Sequence, residues 1–154
     1  MRIGVISDTH GLLRPEAVAA LQGVDYILHA GDVGDARILD TLRTIAPVTA
    51  IHGNVDEYGA CAELSPTEAV ELGGRLFYLV HSLDDLDIDP AAAGVAMVVS
   101  GHSHKAAILQ RNGVIYLNPG SAGPRRFALP VTLAIVRVEN GEIASEIVDL
   151  LRSG

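Results

Sequence analysis

Two short motifs each contain two potential metal ligands separated by a single residue. Asp8 and His10 follow the apolar stretch 2–7, and His102 and His104 follow the apolar run 95–99. In an extended chain, side chains two residues apart point to the same side, so Asp8 and His10 can hold one cation together. An apolar run that ends in polar residues is typical of a buried strand that delivers them to the edge of a sheet, where open α/β folds bind ligands. The two motifs therefore predict a metal site at such an edge.

Three further candidate ligands also follow predicted strands, and they are Asp32, Asn54 and His81. A carboxylate can give one oxygen to each of two metal ions about 3.5 to 4 Å apart, which is the spacing used in two-metal hydrolysis. Asp32 is suited to such a bridge, and Asn54 offers a neutral amide oxygen. The seven candidates mix nitrogen and oxygen ligands, which excludes a thiolate zinc site and suits Mn²⁺, Fe²⁺, Ni²⁺, Co²⁺ or Zn²⁺.

Each candidate also has an ordinary structural interpretation. A single Asp after a strand is often a helix cap or turn former, Asn54 after Gly53 is typical of a turn, and a His among apolar residues is often a hydrogen-bonded structural group. That interpretation fits His29 and His52, which we leave unassigned. It fits the seven candidates poorly, because independent caps and turns have no reason to recur in this ordered pattern after successive strands.

The elements that must position these side chains alternate between strand and helix in the first third of the chain. Short β-branched runs predict strands at 2–7, 26–29 and 48–51. Helices are expected at 15–22, with Pro15 in the first turn, and at about 36–46, with Asp35 as the cap. This order is typical of parallel strands joined by crossover helices, with polar groups gathered at one edge.

Three hairpins are predicted in the remainder of the chain. Glycine pairs and Asn-Gly pairs supply the positive φ of tight turns at 73–74, 112–113 and 140–141. They join predicted strands at 69–72 and 75–80, at 106–111 and 114–117, and at 131–139 and 142–150. The acidic stretch 83–93 predicts a solvated surface loop with at most one helical turn at 90–93. The sequence therefore predicts a β-rich α/β sandwich, parallel in its first half and antiparallel in its second.

Length, charge and cysteine content limit the class of protein. The 154 residues predict one domain over 1–154, and no run of about 20 apolar residues predicts a membrane span or a signal peptide. The net charge of −8 opposes nonspecific nucleic-acid binding, so bound metal would have to receive a phosphate. Cys61 has no partner for an internal disulfide, and we expect it to be a buried apolar residue, with a catalytic thiol as the alternative. The absence of a second cysteine also favours a cytoplasmic location for the protein.

The ordered motifs resemble those of the calcineurin-like metallophosphoesterases. The stretches 8–10, 31–32, 53–54, 80–82 and 101–104 carry the resemblance, and 53–56 and 118–121, together with the short length, resemble the small YfcE-like phosphodiesterase family. The resemblance implies a four-layer α/β/β/α sandwich of two mixed β-sheets flanked by helices. It covers essentially the whole chain.

The resemblance also implies a ligand set for two divalent ions, with Mn²⁺ expected. One ion would be held by Asp8, His10, Asp32 and His104, and the other by Asp32, Asn54, His81 and His102. A water or hydroxide bridging the two ions would attack phosphorus. Asn54 and His102 would also face the phosphate as catalytic residues.

Substrate contacts and one departure from the family pattern follow from the same comparison. Asn118, Arg125 and Arg126 lie in Gly- and Pro-rich stretches and are candidates for substrate binding, with a structural turn and a surface basic pair as the alternative. Val55 stands where the wider superfamily has a His thought to protonate the leaving group, so leaving groups that need no proton are expected. Asp56 either orders a ligand or caps the next segment.

The function expected from these features is hydrolysis of small-molecule phosphate esters by a metal-dependent phosphodiesterase. One alternative is a phosphomonoesterase or pyrophosphatase, because good leaving groups need no acid. Another is a noncatalytic scaffold of the Vps29 type, which would be free to lose the ligands that this sequence retains. Exposed hairpin edges make a homodimer a further expectation.

Overall fold

Two five-stranded β-sheets form the centre of the computed structural model, which describes residues 1–57 and 59–151. The strands lie in the order β10-β9-β1-β2-β3 in the first sheet and β4-β5-β6-β8-β7 in the second. Their bounds are β1 Arg2–Ile6, β2 Tyr26–His29, β3 Val48–Ala50, β4 Thr67–Leu72, β5 Arg75–Val80, β6 Val95–Val99, β7 Ala107–Arg111, β8 Val114–Asn118, β9 Thr132–Glu139 and β10 Glu142–Asp149.

Parallel pairing occurs at the centre of both sheets. In the first sheet β1, β2 and β3 run parallel, and β9 pairs antiparallel with β1 and β10. In the second sheet β5, β6 and β8 run parallel, while β4 and β7 are antiparallel edges. The expectation of an antiparallel second half is therefore wrong for this central trio. The physical reason is that β6 is apolar and buried along its whole length, as central parallel strands are.

Both α-helices cover the outer face of the first sheet. Helix α1 spans Pro15–Ala20 and begins at its proline, and α2 spans Ala36–Arg43. Asp35 caps α2 by accepting a hydrogen bond from the Arg37 N–H, as predicted. The apolar residues of these helices pack against the first sheet in one core cluster, which also contains the buried Cys61. Burial raises the pKa of that thiol, consistent with an apolar packing role.

A second core cluster lies between the two sheets and joins them. Ile3 and Val5 from β1 meet Phe77 and Leu79 from β5 and Met97 from β6 within it. On the far face of the second sheet, Leu86 and Ile88 pack over a smaller cluster that includes Val80 and Val98. The layers are therefore helix, sheet, sheet and a largely irregular segment, which contains a 3₁₀ helix at Leu83–Asp85.

The three predicted hairpins are confirmed. Asn112 and Gly113 have φ of 53° and 78°, and Asn140 and Gly141 have the same values, as a two-residue turn with left-handed central residues requires. A second 3₁₀ helix, Gly59–Glu63, has no counterpart in the prediction. Among the helices of residues 1–57 and 59–151, none has the length and apolarity needed to cross a lipid bilayer.

Candidate metal centre

The loops that follow β1, β2, β3, β5 and β6 meet at one edge of the molecule. Backbone hydrogen bonds join these loops directly: Asp8 N–H donates to Gly31, His10 N–H to Asp32, and Gly101 N–H to His81. The seven candidate side chains all lie in these loops, at the carboxyl ends of the parallel strands.

Five side chains converge at the buried centre of this edge. Asp8 Oδ1 lies 3.4 Å from His104 Nε2, 3.6 Å from His10 Nε2 and 3.8 Å from His81 Nε2. Asp32 Oδ2 lies 3.1 Å from His81 Nε2 and 3.5 Å from His10 Nε2. These atoms form two overlapping groups in which each is within 4.8 Å of the others, namely Asp8 with His10 and His104, and Asp8 with Asp32 and His81.

Asn54 and His102 lie at the exposed margin of the same cluster. The Asn54 amide nitrogen is 3.4 Å from His102 Nδ1. The His102 ring meets the edge of the His81 ring, with 5.3 Å between their centroids. The seven side chains are thus contiguous, with five toward the interior and two toward solvent.

The backbone that brings the paired ligands together is not extended. Asp8 and His10 have φ of 55° and 46°, and His102 and His104 have φ of 71° and 62°. The expectation that Asp8 and His10 face one way because their chain is extended is therefore wrong about the backbone, although the two side chains do converge. Left-handed residues turn these short loops so tightly that both ligands of a motif reach the cluster.

Two carboxylate oxygens lie among histidines of both implied ligand sets. Asp32 Oδ2 lies near His10 and His81, while its Oδ1 accepts a hydrogen bond from the Val55 N–H at 3.0 Å. Asp8 Oδ1 also lies near histidines of both sets. Of the two Asp32 oxygens, Oδ2 is therefore the one that faces the histidines, while Oδ1 is held by the backbone.

Buried atoms without partners indicate that the cluster suits a cation. Asp8 Oδ1 and His81 Nε2 are buried and have no hydrogen-bond partner. A buried polar atom left unpaired costs about 1 to 3 kcal/mol, and a divalent ion would satisfy both. His81 Nδ1 lies 2.7 Å from the Ala30 carbonyl and donates to it, which leaves Nε2 directed at the carboxylates. Such an outer hydrogen bond is what orients a metal-binding imidazole.

The cluster also shifts the titration of its members in the metal-free chain. Burial by itself would raise the pKa of the Asp32 carboxyl, but His81, the Val55 N–H and His10 outweigh burial and hold that pKa well below its usual range. Burial opposes the charge of His81, yet Asp32 and the Ala30 carbonyl raise its pKa. Burial lowers the pKa of His104 against the attraction of Asp8, and Arg126 acts in the same direction as burial.

The buried carboxylate of Asp56 joins two of the ligand loops. Its carboxylate is 1% exposed and accepts three backbone hydrogen bonds, from Gly53 at 2.9 Å, Gly34 at 3.0 Å and Val33 at 3.2 Å. The loop that carries Asn54 is thereby tied to the loop that follows Asp32. Of the two expectations for Asp56, these contacts favour the ordering of ligands.

His29 supports the same loops, and sequence reasoning left it unassigned. It is fully buried, its Nδ1 accepts from the Gly31 N–H at 3.1 Å, and its Nε2 lies 3.0 Å from Thr9 Oγ1. Thr9 Oγ1 in turn donates to the Val33 carbonyl at 2.8 Å. Burial lowers the pKa of His29 to about 4, so the ring is neutral at pH 7 and donates from Nε2. A polar residue at the end of a buried strand was the available signal.

Two glycines are required where the loops touch. A Cβ on Gly53 would lie 2.1 Å from the Asp32 backbone nitrogen, and a Cβ on Gly101 would lie 2.1 Å from Ser7 Oγ. Ser7 Oγ donates to Asp8 Oδ2 at 2.7 Å, and this oxygen also accepts the His102 N–H. The close approach of the loops therefore depends on these two positions, and Ser7 was another contributor that the sequence did not reveal.

The candidate substrate residues lie in different surroundings. Asn118 donates to the Gly101 carbonyl and to Ser103 Oγ, so its amide orders the loop that carries His102. Arg125 and Arg126 are exposed. The charge of Arg126 acts on His104, whereas Arg125 lines a separate cleft.

Comparison with known proteins agrees with this architecture. The family model of the calcineurin-like phosphoesterase superfamily domain matches residues 1–141. A probable metallophosphoesterase of Methanothermobacter thermautotrophicus is 34% identical in an alignment 161 positions long that covers 96% of this chain and 92% of that protein.

Solved structures share the fold at lower identity. A structure described as a novel archaeal phosphodiesterase aligns with a TM-score of 0.78 and 22% identity, over 96% of this chain and 100% of that one. The phosphoesterase Yfce from E. coli aligns with a TM-score of 0.70 and 21% identity, over 97% and 100%. Vps29 of Chaetomium thermophilum aligns with a TM-score of 0.77 and 19% identity, over 96% and 97%. The chain belongs to the calcineurin-like phosphoesterase superfamily.

Proposed function

We propose that this chain is a metal-dependent phosphodiesterase that uses two divalent ions. The observation that carries the proposal is the convergence of Asp8 Oδ1, Asp32 Oδ2 and His81 Nε2, of which the first and last are buried without a hydrogen-bond partner. The family supports hydrolysis of phosphate esters. The archaeal structural neighbour is described as a phosphodiesterase, which supports the choice of diesters.

The proposed ligand sets follow the order of the loops. One ion is assigned to Asp8, His10, Asp32 and His104, and the other to Asp32, Asn54, His81 and His102. When bound, two such ions supply Lewis-acid polarisation of phosphoryl oxygens and make water acidic enough to act as a nucleophile near neutral pH. Mn²⁺ is the proposed ion, and the mixed nitrogen and oxygen ligands suit it along with Fe²⁺, Co²⁺, Ni²⁺ and Zn²⁺.

The residues at the exposed margin are assigned to the phosphate. Asn54 and His102 are the exposed members of the cluster, so their amide and ring face the side from which substrate arrives. Arg126 adds positive charge on the His104 side. Asn118 acts indirectly, by holding the loop of His102 in place.

Val55 limits the kind of ester that is cleaved well. Its side chain is 47% exposed at the rim and carries no proton to give. General acid assistance contributes about 10²- to 10⁴-fold in rate. The proposed enzyme is therefore fastest on diesters whose leaving group departs as a stable anion.

A combined metal and activity measurement tests the proposal. Metal-depleted protein is titrated with Mn²⁺ by equilibrium dialysis, and hydrolysis of bis(p-nitrophenyl) phosphate is followed with and without Mn²⁺. The wild type is expected to bind two ions and to require them for turnover. Asp32→Asn is expected to lose at least one ion and more than about 100-fold in turnover, because even outer partners of metal ligands cost 10- to 100-fold.

The matched control is Asp40→Asn, an exposed carboxylate on α2, which is expected to match the wild type. An Asp32→Asn protein that keeps both ions and full turnover would refute the bridging assignment. Parallel assays with p-nitrophenyl phosphate and pyrophosphate distinguish a diesterase from a monoesterase or pyrophosphatase.

A noncatalytic scaffold is the second candidate, because Vps29 shares the fold over nearly the whole chain. The seven contiguous ligands argue against it, since an assembly surface does not need buried unpaired carboxylate and imidazole atoms. A protein that binds no metal and cleaves neither diester nor monoester would support the scaffold instead.

A further inference from the structure

Two clefts open beside the metal ligands. One, of about 330 Å³, is bordered by Asn54 and His81 together with Asp85 and Asp87. The other, of about 200 Å³, is bordered by His102 and Asp84 and shares the loop after β5. Because each contains predicted ligands, a substituent of a bound phosphate ester can extend into one of them.

The charged residues that border these clefts are acidic. Asp84, Asp85 and Asp87 are exposed carboxylates, and no Lys or Arg borders either cleft within residues 1–57 and 59–151. Asp87 is held in place by the Tyr78 hydroxyl, which donates to its Oδ1 at 2.6 Å. Arg126, whose charge acts on His104, borders neither cleft.

The larger cleft is bordered by His81, a member of the metal-ligand cluster whose side chain has an unpaired nitrogen. His81 borders it, is 5% exposed and has an Nε2 without a hydrogen-bond partner. Asp85 and Asp87 therefore border the same cleft as the proposed ligands Asn54 and His81. A diester bound at the site, with one ester group in this cleft, brings that group toward two carboxylates.

We propose that the preferred substrates are phosphodiesters of amino alcohols, with the ammonium group in the cleft of Asp85 and Asp87. This inference rests on the proposed phosphodiesterase function and names its substrate class. Water attacks phosphorus, the bond from phosphorus to the other ester oxygen breaks, and the products are that alcohol or its anion and the phosphomonoester of the amino alcohol. A group with further phosphates is disfavoured in this cleft, because it would meet like charge.

The test compares two substrates that differ in one charge. p-Nitrophenyl phosphorylcholine carries a trimethylammonium group, and p-nitrophenyl 3,3-dimethylbutyl phosphate replaces that nitrogen with carbon. An exposed charge pair contributes about two- to fivefold in affinity, so two carboxylates predict a ratio of kcat/KM near tenfold in favour of the cation. The ratio is expected to fall toward one as NaCl rises from 0.05 to 0.5 M.

Variants assign the preference to the cleft. Asp85→Asn is expected to lower the ratio two- to fivefold, and Asp85→Asn with Asp87→Asn to bring it near one. Asn at 87 retains an acceptor for the Tyr78 hydroxyl, and unfolding curves verify that the double variant is folded. The matched control is Asp89→Asn, an exposed carboxylate of the same segment that borders neither cleft, and its ratio is expected to equal that of the wild type.

The outcomes separate this inference from the proposed function. If the wild type cleaves bis(p-nitrophenyl) phosphate but shows equal kcat/KM for the matched pair, the diesterase stands and the amino-alcohol preference is overturned. If Asp84→Asn abolishes the preference and Asp85→Asn does not, the placement in the larger cleft is overturned. If no diester is cleaved with any metal, the proposed function itself fails.

Discussion

The stability of the ligand loops is expected to depend on Asp56, whose carboxylate joins two of them. Its Oδ2 accepts the Gly53 and Val33 N–H groups and its Oδ1 accepts the Gly34 N–H. Asp56→Ala removes both acceptor oxygens, and with them all three hydrogen bonds. The N–H groups of Val33 and Gly53, which are buried, would then lack a partner, whereas that of Gly34 is exposed to water.

The expected loss follows from the cost of an unsatisfied donor. Each buried donor costs about 1 to 3 kcal/mol when its partner is removed, so the loss of two of them in Asp56→Ala is expected to lower the free energy of unfolding by about 2 to 6 kcal/mol. Asp56→Asn can place its carbonyl oxygen where Oδ2 lies and keep two bonds, which limits its loss to about 1 to 3 kcal/mol. Proteins of this size have a total stability of about 8 to 23 kcal/mol, so both effects are measurable.

The assay is urea unfolding of metal-free protein, supported by thermal unfolding. At about 2 to 4 °C per kcal/mol for a chain of this length, Asp56→Ala is expected to lower Tm by about 4 to 24 °C. Asp25→Asn is the matched control, because Asp25 is exposed and accepts one backbone hydrogen bond, from Arg2. Its effect is expected to stay within about 0.5 kcal/mol.

A stability for Asp56→Ala within about 1 kcal/mol of wild type would refute this reasoning. It would mean that the three N–H groups find other partners when the carboxylate is absent. The same result with intact metal binding would also remove Asp56 from the residues that order Asn54.

Three further changes give distinct readouts. The pKa of His29 is about 4 in the folded chain, against 6.5 when the ring is exposed, so the unfolded chain takes up the proton first as pH falls. The free energy of unfolding of metal-free protein is therefore expected to decrease by about 3 kcal/mol between pH 6.5 and pH 4. Urea unfolding of His29→Asn should show a smaller decrease over the same range. Arg126→Ala is expected to raise KM for bis(p-nitrophenyl) phosphate about two- to fivefold, with Arg125→Ala unchanged. Because φ of His102 is 71°, the free energy of unfolding of metal-free His102→Gly is expected to exceed that of His102→Ala by about 1 kcal/mol, measured by urea unfolding. At Ser103, which has no positive φ, the Ala variant is expected to be the more stable of the two.

Local patterns were sufficient to predict most elements of the fold. The bounds of β2 and β6 match the predicted 26–29 and 95–99, because β-branched and apolar runs end sharply at turn residues. Asn112 and Asn140 marked their hairpins through the left-handed φ that Asn-Gly turns require. Pairing between distant strands carries no such local signal. The parallel order β5, β6, β8 depends on burial of both faces of β6, and the intervening hairpin arm β7 was free to become an edge.

The ligands were predictable from sequence for a chemical reason, and their supports were not. Carboxylate, imidazole and amide groups after successive strands have few joint explanations, so Asp8 or His81 stands out once the strands are placed. Thr9 and Ser7 are ordinary polar residues at a strand end, and nothing in the sequence says that one meets His29 and the other Asp8 Oδ2. Contacts of this kind depend on loops brought together by the finished fold.

The backbone strain of the fold is concentrated at the residues proposed to bind metal. Asp8, His10, Asp32, His102 and His104 all have left-handed φ, between 46° and 71°. Such a conformation costs about 1 to 2 kcal/mol for a residue with a side chain, and Asp tolerates it better than His. Glycine would relieve the strain at each position but would remove a ligand. The strain is therefore a direct cost of directing carboxylates and imidazoles to one point, and the loop hydrogen bonds of Asp56 and His29 are what hold it in place before any ion binds.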